Sequence, residues 1–296
     1  MSKDGTDRTA RDLAAGSGAV LGGMVIQFLG AALAKGLFGV IGPLGMASLR
    51  LVFAALVLML ARRAWRRVPP RPAWPALAVY GVALGVMNLS IYQAFARIPI
   101  ALGAGIETLG PLGVALWASR RGLDVVWFAV GCLGLALLMP LGGHAGAPVS
   151  LSGMAFALLA GGCWALYILA GRQVAPIIGG DAVAWGMMVA ALPALPVAFL
   201  SDGIALLHPH ILALGLGVAL LSSALPYSLE MEAMRRLPTS TMGILLSTAP
   251  AMACLVGYVA LGERLAPLQG LAVGLFVVAA VGSMASAAGI RRATGD

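Results

Sequence analysis

The sequence predicts an all-α membrane protein of ten transmembrane helices, arranged as two inverted five-helix repeats with both termini in the cytoplasm. Three observations carry this expectation: apolar runs of spanning length, a one-sided distribution of basic residues, and a constant-offset match between the two halves.

The apolar runs come first. Of the 296 residues, 60% are hydrophobic and 10% charged, whereas a soluble domain carries about a quarter charged residues. Forty glycines suit helices that pack closely in lipid. A helix crosses the hydrocarbon with roughly 17–25 mostly apolar residues. Ten runs meet or nearly meet that length: 18–39, 44–61, 74–95, 99–118, 125–141, 151–171, 181–200, 210–232, 238–261 and 266–288. Pro, Gly or Arg punctuate most boundaries, as at Gly42-Pro43, Pro69-Pro70 and Arg97-Ile98-Pro99. Residues 1–17 are polar and of mixed charge, and are expected to form a disordered cytoplasmic tail without a separate cleavable signal peptide. Residues 289–296 form a second cytoplasmic tail, and the repeats occupy 18–141 and 151–288.

The net charge of +8 reflects orientation rather than nucleic-acid binding. With the N-terminus inside, the cytoplasmic loops receive Lys3, Arg8, Arg11, Arg62, Arg63, Arg66, Arg67, Arg71, Arg120, Arg121, Arg172, Arg235, Arg236, Arg291 and Arg292, fifteen of the 19 basic residues. Lys35, Arg97 and Arg264 fall on the other side, and Arg50 lies inside a span. Basic residues concentrate on the cytoplasmic side of membrane proteins, so ten spans with both ends inside fit. Trp65, Trp74, Trp117, Trp127 and Trp185 also fall near cytoplasmic ends, where interfacial anchors belong.

The halves match at an offset of 139. Arg97-Ile98-Pro99 pairs with Arg236-Leu237-Pro238, Pro111 with Pro250, Asp124 with Glu263 and Gly131 with Gly270. Five spans per half is an odd number, so the halves face opposite ways across the membrane. Inverted repeats mark secondary transporters, which bind substrate at the repeat interface.

Ionisable residues at membrane depth are costly unless they are paired or face a cavity, which makes each a candidate. Glu107 lies eight residues past Pro99, roughly 12 Å below the outer surface, and Arg50 lies roughly 10 Å below it. Asn88 falls at similar depth on a third span. These three are expected to form a polar site: Glu107 as a carboxylate or proton carrier, Arg50 as a carboxylate-binding cation, and Asn88 as a hydrogen-bonding group. The alternative is a permanent Glu107–Arg50 ion pair that pins helices. Lys35 reads as an interfacial, snorkelling residue. Pro111 removes the hydrogen bond to the carbonyl of Glu107, and Pro250 frees that of Leu246. Paired proline-interrupted helices point to a transporter site, which makes Pro111 and Pro250 candidate kink or gate residues. On the inner half, Ser222 to Glu230 is polar for a span. Tyr227 there is the repeat partner of Asn88, and Glu230 is a second proton or gate candidate. Trp164 and Tyr167, three residues apart on one helix face, either wall the cavity or pack ordinarily.

Signals for other classes are missing from the sequence. No Walker loop is present. Cys132, Cys163 and Cys254 lie singly in apolar runs, and His144, His208 and His210 lack ligand spacing, so neither cofactor nor metal is expected. A lipid-modifying membrane enzyme, the alternative from a different class, would need an interfacial His, Ser or Asp cluster.

These features resemble the drug/metabolite transporter superfamily, with two EamA-type repeats, and above all its threonine/homoserine exporter branch. The matching stretches are ALAKGLFGVIG (32–42), LRL (49–51), IETLGPLGVALWASRRGLDVVW (106–127), GGCWALYILAGR (161–172), SALPYSLEM (223–231) and RLPTSTMG (236–243). The resemblance covers about residues 20 to 288. It implies efflux of small polar amino acids such as threonine and homoserine, by proton exchange, from a bacterial inner membrane. The expected partners are an amino acid, a proton and the bilayer, with the protein a monomer or a homodimer. Export of another metabolite, a nucleobase or a drug-like compound is the alternative within the same superfamily.

Overall fold

The computed structural model describes residues 3–118, 122–139, 149–237 and 239–294. Among these, every regular element is helical: α1 (Lys3–Gly36), α2 (Pro43–Arg62), α3 (Trp74–Phe95), α4 (Ile100–Glu107), α5 (Leu109–Ala118), α6 (Gly122–Leu138), α7 (Leu151–Ile178), α8 (Ala182–Asp202), α9 (Pro209–Ala219), α10 (Leu225–Arg236), α11 (Thr239–Leu246), α12 (Ala249–Leu261) and α13 (Pro267–Thr294). Proline opens several of them, including α2, α9 and α13, where its missing N–H is no loss and its fixed φ suits the first turn.

Among the described residues, seven helical segments are long and apolar enough to cross a membrane. One of them, Leu151–Leu207, runs for 57 residues and contains both α7 and α8. Gly122–Leu138 and Pro209–Ala224 are shorter apolar helices. The segment Ile100–Ala118 comprises α4 and α5 in tandem, and Thr241–Leu261 contains α12 and most of α11. Large apolar side chains such as Leu60, Leu200 and Val259 are exposed on the helix surfaces, where a bilayer accepts them without penalty. The chain is a multi-pass membrane protein.

Helix also occupies part of both expected tails. The spanning part of α1 begins at Leu13, yet the helix starts at Lys3. The residues between contain no proline, so nothing stops the helix from extending past the apolar segment. Likewise α13 continues to Thr294.

Packing is pairwise. α3 lies along α7, α2 along α8, and α6 along α13, while α1 packs against α10 and α12. α4 packs on α12 and α7, and α5 on α7. Buried Met46, Tyr92, Ile100, Leu102 and Phe276 form the centre of the largest apolar cluster. The α2–α8 pair is clasped at both ends. At one end Asp202 accepts the Gly42 N–H at the start of α2, at 2.6 Å. At the other, Asp181 accepts from Arg62 Nε at 3.1 Å and Arg67 Nη1 at 3.4 Å. Trp185 Nε1 donates to the Arg67 carbonyl at 3.2 Å, and its ring meets Trp74 edge-on at 5.8 Å.

Candidate functional site

The helix interruptions frame the site. α4 ends at Glu107 and α5 starts at Leu109, with Thr108 between them, three residues before Pro111. α11 and α12 are parted by Ser247 and Thr248, just ahead of Pro250. A proline cannot donate to the carbonyl four residues earlier, so each helix loosens one turn upstream. Local hydroxyls take up other carbonyls there. Thr108 Oγ1 donates to the Gly105 carbonyl at 2.6 Å, Ser247 Oγ to Gly243 at 2.8 Å and Thr248 Oγ1 to Leu245 at 2.7 Å.

The backbone of Glu107 is met by α7 at Gly161. A Cβ placed on Gly161 would lie 2.8 Å from the Glu107 carbonyl oxygen, and one on Gly110 would strike the Gly161 carbonyl. Two glycines therefore let α7 seat directly against the interruption. The Glu107 side chain is half-buried there, and Arg50 is the cation whose charge bears on it.

Arg50 is buried. Its Nε donates to Ser223 Oγ at 3.4 Å, and its guanidinium stands 5.3 Å from the centroid of the Tyr92 ring, within cation–π range. Ser223 belongs to a π-helical turn, Leu220–Ala224, between α9 and α10, the kind of local widening that recurs at functional sites. The turn admits α1 closely, since a Cβ on Gly30 would lie 2.8 Å from the Ser222 amide. Arg50 thus joins α2, α3 and the π turn. The Tyr92 hydroxyl is buried without a hydrogen-bond partner among the described residues, as is that of Ser48 on α2.

Asn88 is also buried, but its Nδ2 donates to the Leu84 carbonyl of its own helix at 2.8 Å, which spends that donor locally. Tyr227 lies on α10, and its side chain falls outside the described residues. Glu230, half-buried on the same helix, bears electrostatically on Tyr167. Tyr167 stacks on Tyr80 of α3 at 4.5 Å between centroids, and the two hydroxyls are 2.9 Å apart. Trp164 is half-buried one turn earlier on α7. The candidates therefore sort into two groups. Arg50 contacts Ser223 and Tyr92 and bears electrostatically on Glu107, while Tyr167 contacts Tyr80 and is acted on by Glu230. Sequence reasoning singled out neither Tyr80 nor Tyr92. Their signal was a tyrosine within an apolar run, Tyr92 one turn from Asn88.

Lys35 has defined partners instead of snorkelling. Its Nζ donates to Glu263 Oε1 at 2.7 Å and to the Ile98 carbonyl at 2.8 Å. Glu263 Oε2 in turn accepts the Ile100 N–H, which opens α4, at 3.0 Å. Beside this tie is a cavity of about 390 Å³ lined by Arg97, Arg264, Lys35 and Glu263, among others.

Apolar spanning helices, interrupted in pairs around buried charge, fit a polytopic membrane transporter. The chain belongs to the EamA-like transporter family, whose sequence pattern matches residues 151–285. It is 45% identical over 254 residues to the threonine/homoserine exporter RhtA of Escherichia coli K12, covering 86% of each chain. The Salmonella typhimurium SL1344 protein of the same name is 43% identical over the same proportion. A solved crystal structure superposes with a TM-score of 0.55 at 21% identity, covering 92% of this chain and 95% of that one, which supports the fold alone.

Proposed function

We propose that this chain is a bacterial inner-membrane exporter of small polar amino acids, threonine and homoserine among them, that exchanges substrate for protons by alternating access. The observation that carries the reading is 45% identity across 86% of the chain to an exporter named for those two amino acids.

The geometry supplies matching chemistry. A zwitterionic amino acid needs a cation for its carboxylate and an anion for its ammonium, and each is costly to keep at membrane depth without such use. Arg50 offers a guanidinium steadied by Ser223 and Tyr92, a group that pairs with carboxylates in bidentate fashion. Glu107 offers the anion, and exchanges its bond to the ammonium for a proton. Glu230, with Tyr167 and Tyr80, serves the inner half of the path.

In this reading the ten spans form two inverted repeats, 18–141 and 151–288, with both termini cytoplasmic. The packing supports it, because the pairings map onto each other under the offset of 139. The α3–α7 contact corresponds to α9 and α10 on α1, α5–α7 corresponds to α12–α1, and α2–α8 and α6–α13 each correspond to themselves. The symmetry is broken at the mouths. α4 is buried throughout Ile100–Ile106 and packs on α12, whereas its counterpart α11 is half-buried at Thr241 and Gly243–Leu246 and makes no comparable contact with α5. In this reading Lys35 and Glu263 close the outer mouth, and the conformation is the inward-facing one of the cycle.

Proteoliposomes loaded with labelled threonine test this, with a proton gradient imposed across the membrane. An inward-directed gradient is expected to accelerate efflux at least several-fold, and E107Q to abolish the acceleration at normal protein levels. Gradient-independent efflux would refute proton exchange, and unaltered coupling in E107Q would remove Glu107 from it. A parallel panel of nucleobases and drug-like cations separates amino-acid export from the alternatives.

A further inference from the structure

The closed outer mouth contains a motif whose counterpart at the inner mouth is present but unmade. Outside, Glu263 stands at the junction of α12 and α13 and accepts two hydrogen bonds, from Lys35 Nζ of α1 and from the N–H of Ile100 that opens α4 after Pro99. One carboxylate there ties three helices across the mouth and satisfies an end-of-helix amide that has no partner within α4.

The offset of 139 maps every backbone part of this tie. Glu263 corresponds to Asp124, Pro99 to Pro238, and Ile100 to Thr239, the first residue of α11. Asp124 lies in the first turn of α6. Its relative exposure is 9%, and among the described residues it has neither a hydrogen-bond nor an ion-pair partner. Its carboxylate oxygens are not among the fully enclosed unpartnered atoms, so an incoming donor can reach them. Among the described residues α11 does not pack on α5 as α4 packs on α12. Lys35 maps to Val174, so the cation differs: Arg172, two residues earlier on α7, is exposed and has no partner among the described residues.

We propose that Asp124 is the inner-mouth latch. When the bundle turns outward-facing, its carboxylate accepts the Thr239 N–H and the Arg172 guanidinium, as Glu263 now accepts the Ile100 N–H and Lys35. The two acids then hold opposite conformations, each bonded only while its own mouth is shut. This rests on the inverted-repeat reading above and adds a residue to it.

The test uses the full chain in membrane vesicles, with Cys132, Cys163 and Cys254 replaced and one cysteine introduced at Leu102, a fully buried position on α4. An impermeant thiol reagent applied from outside reports the outward-open fraction. Removing a charge-assisted hydrogen bond shifts a two-state equilibrium by about ten-fold. E263Q is therefore expected to raise labelling at 102 about ten-fold. D124N is expected to lower it by a similar factor, and D124E to restore it. T239P removes the amide donor and leaves Asp124 itself intact, at a helix position that tolerates proline. It lowers labelling as D124N does, even if D124N itself fails to insert. If E263Q raises labelling while neither D124N nor T239P lowers it, Asp124 is no latch and the outer tie stands. If E263Q also leaves labelling unchanged, the outer latch fails and the proposal fails with it.

Discussion

Two adjacent glycines on α7 offer an unusually clean perturbation. A Cβ at Gly161 would sit 2.8 Å from the Glu107 carbonyl oxygen and 3.4 Å from its carbon, whereas one at Gly162 meets nothing within 4 Å. Ordinary contact begins near 3.4 Å, so G161A forces a separation of about 0.6 Å (3.4 minus 2.8) on backbone that has no rotamer to yield. Overpacking of that kind costs about 1–3 kcal/mol. Against this, replacing glycine in a helix gains up to about 1 kcal/mol. G161A is thus expected to destabilise by up to about 3 kcal/mol, and G162A to be neutral or stabilising by up to about 1 kcal/mol. Reversible unfolding in mixed micelles measures both. Since the displaced atoms carry Glu107, threonine efflux in proteoliposomes should also fall in G161A and hold in G162A. Equal stability of the two variants would show that α7 does not seat against the α4–α5 interruption as described.

Other expectations follow from single contacts. Y167F loses the hydroxyl bond to Tyr80 but keeps the stack, so stability should fall by about 1 kcal/mol, read in the same unfolding assay. D202A strands the Gly42 N–H at the start of α2 and should cost about 1–3 kcal/mol. By contrast, E232A breaks an exposed pair with Arg236 and should stay within about 0.5 kcal/mol. Y92F removes a hydroxyl that has no partner among the described residues while preserving the ring beneath Arg50. Its stability should be unchanged, and a loss of transport without a loss of stability would mark that hydroxyl as a substrate contact.

How much of this was legible in the sequence depends on the range of each interaction. The helical class, the presence of membrane-crossing helices and the interruptions near Pro111 and Pro250 come from apolar length and from proline's missing N–H, both local properties. The prominence of Arg50 and Glu107 followed from the cost of charge in lipid, which any sequence displays. The bond of Asn88 was not legible, because an amide four residues from a carbonyl either serves its own helix or reaches across, and only packing decides. Tertiary partners were hidden for the same reason. Lys35 read as interfacial because Glu263 is 228 residues away, and Tyr80, a tyrosine in an apolar run, found its partner Tyr167 only once α3 lay along α7. The helical start at Lys3 departs from the polar composition of residues 1–17, which signals exposure more reliably than it signals loss of helix.

The most direct measurement is equilibrium counterflow of labelled threonine into proteoliposomes preloaded with unlabelled threonine, comparing wild type with R50Q at matched incorporation. The account predicts transient accumulation of label in wild type and none in R50Q. Accumulation undiminished in R50Q would contradict the buried guanidinium as the carboxylate site. Absence of counterflow for both threonine and homoserine in wild type would contradict amino-acid export.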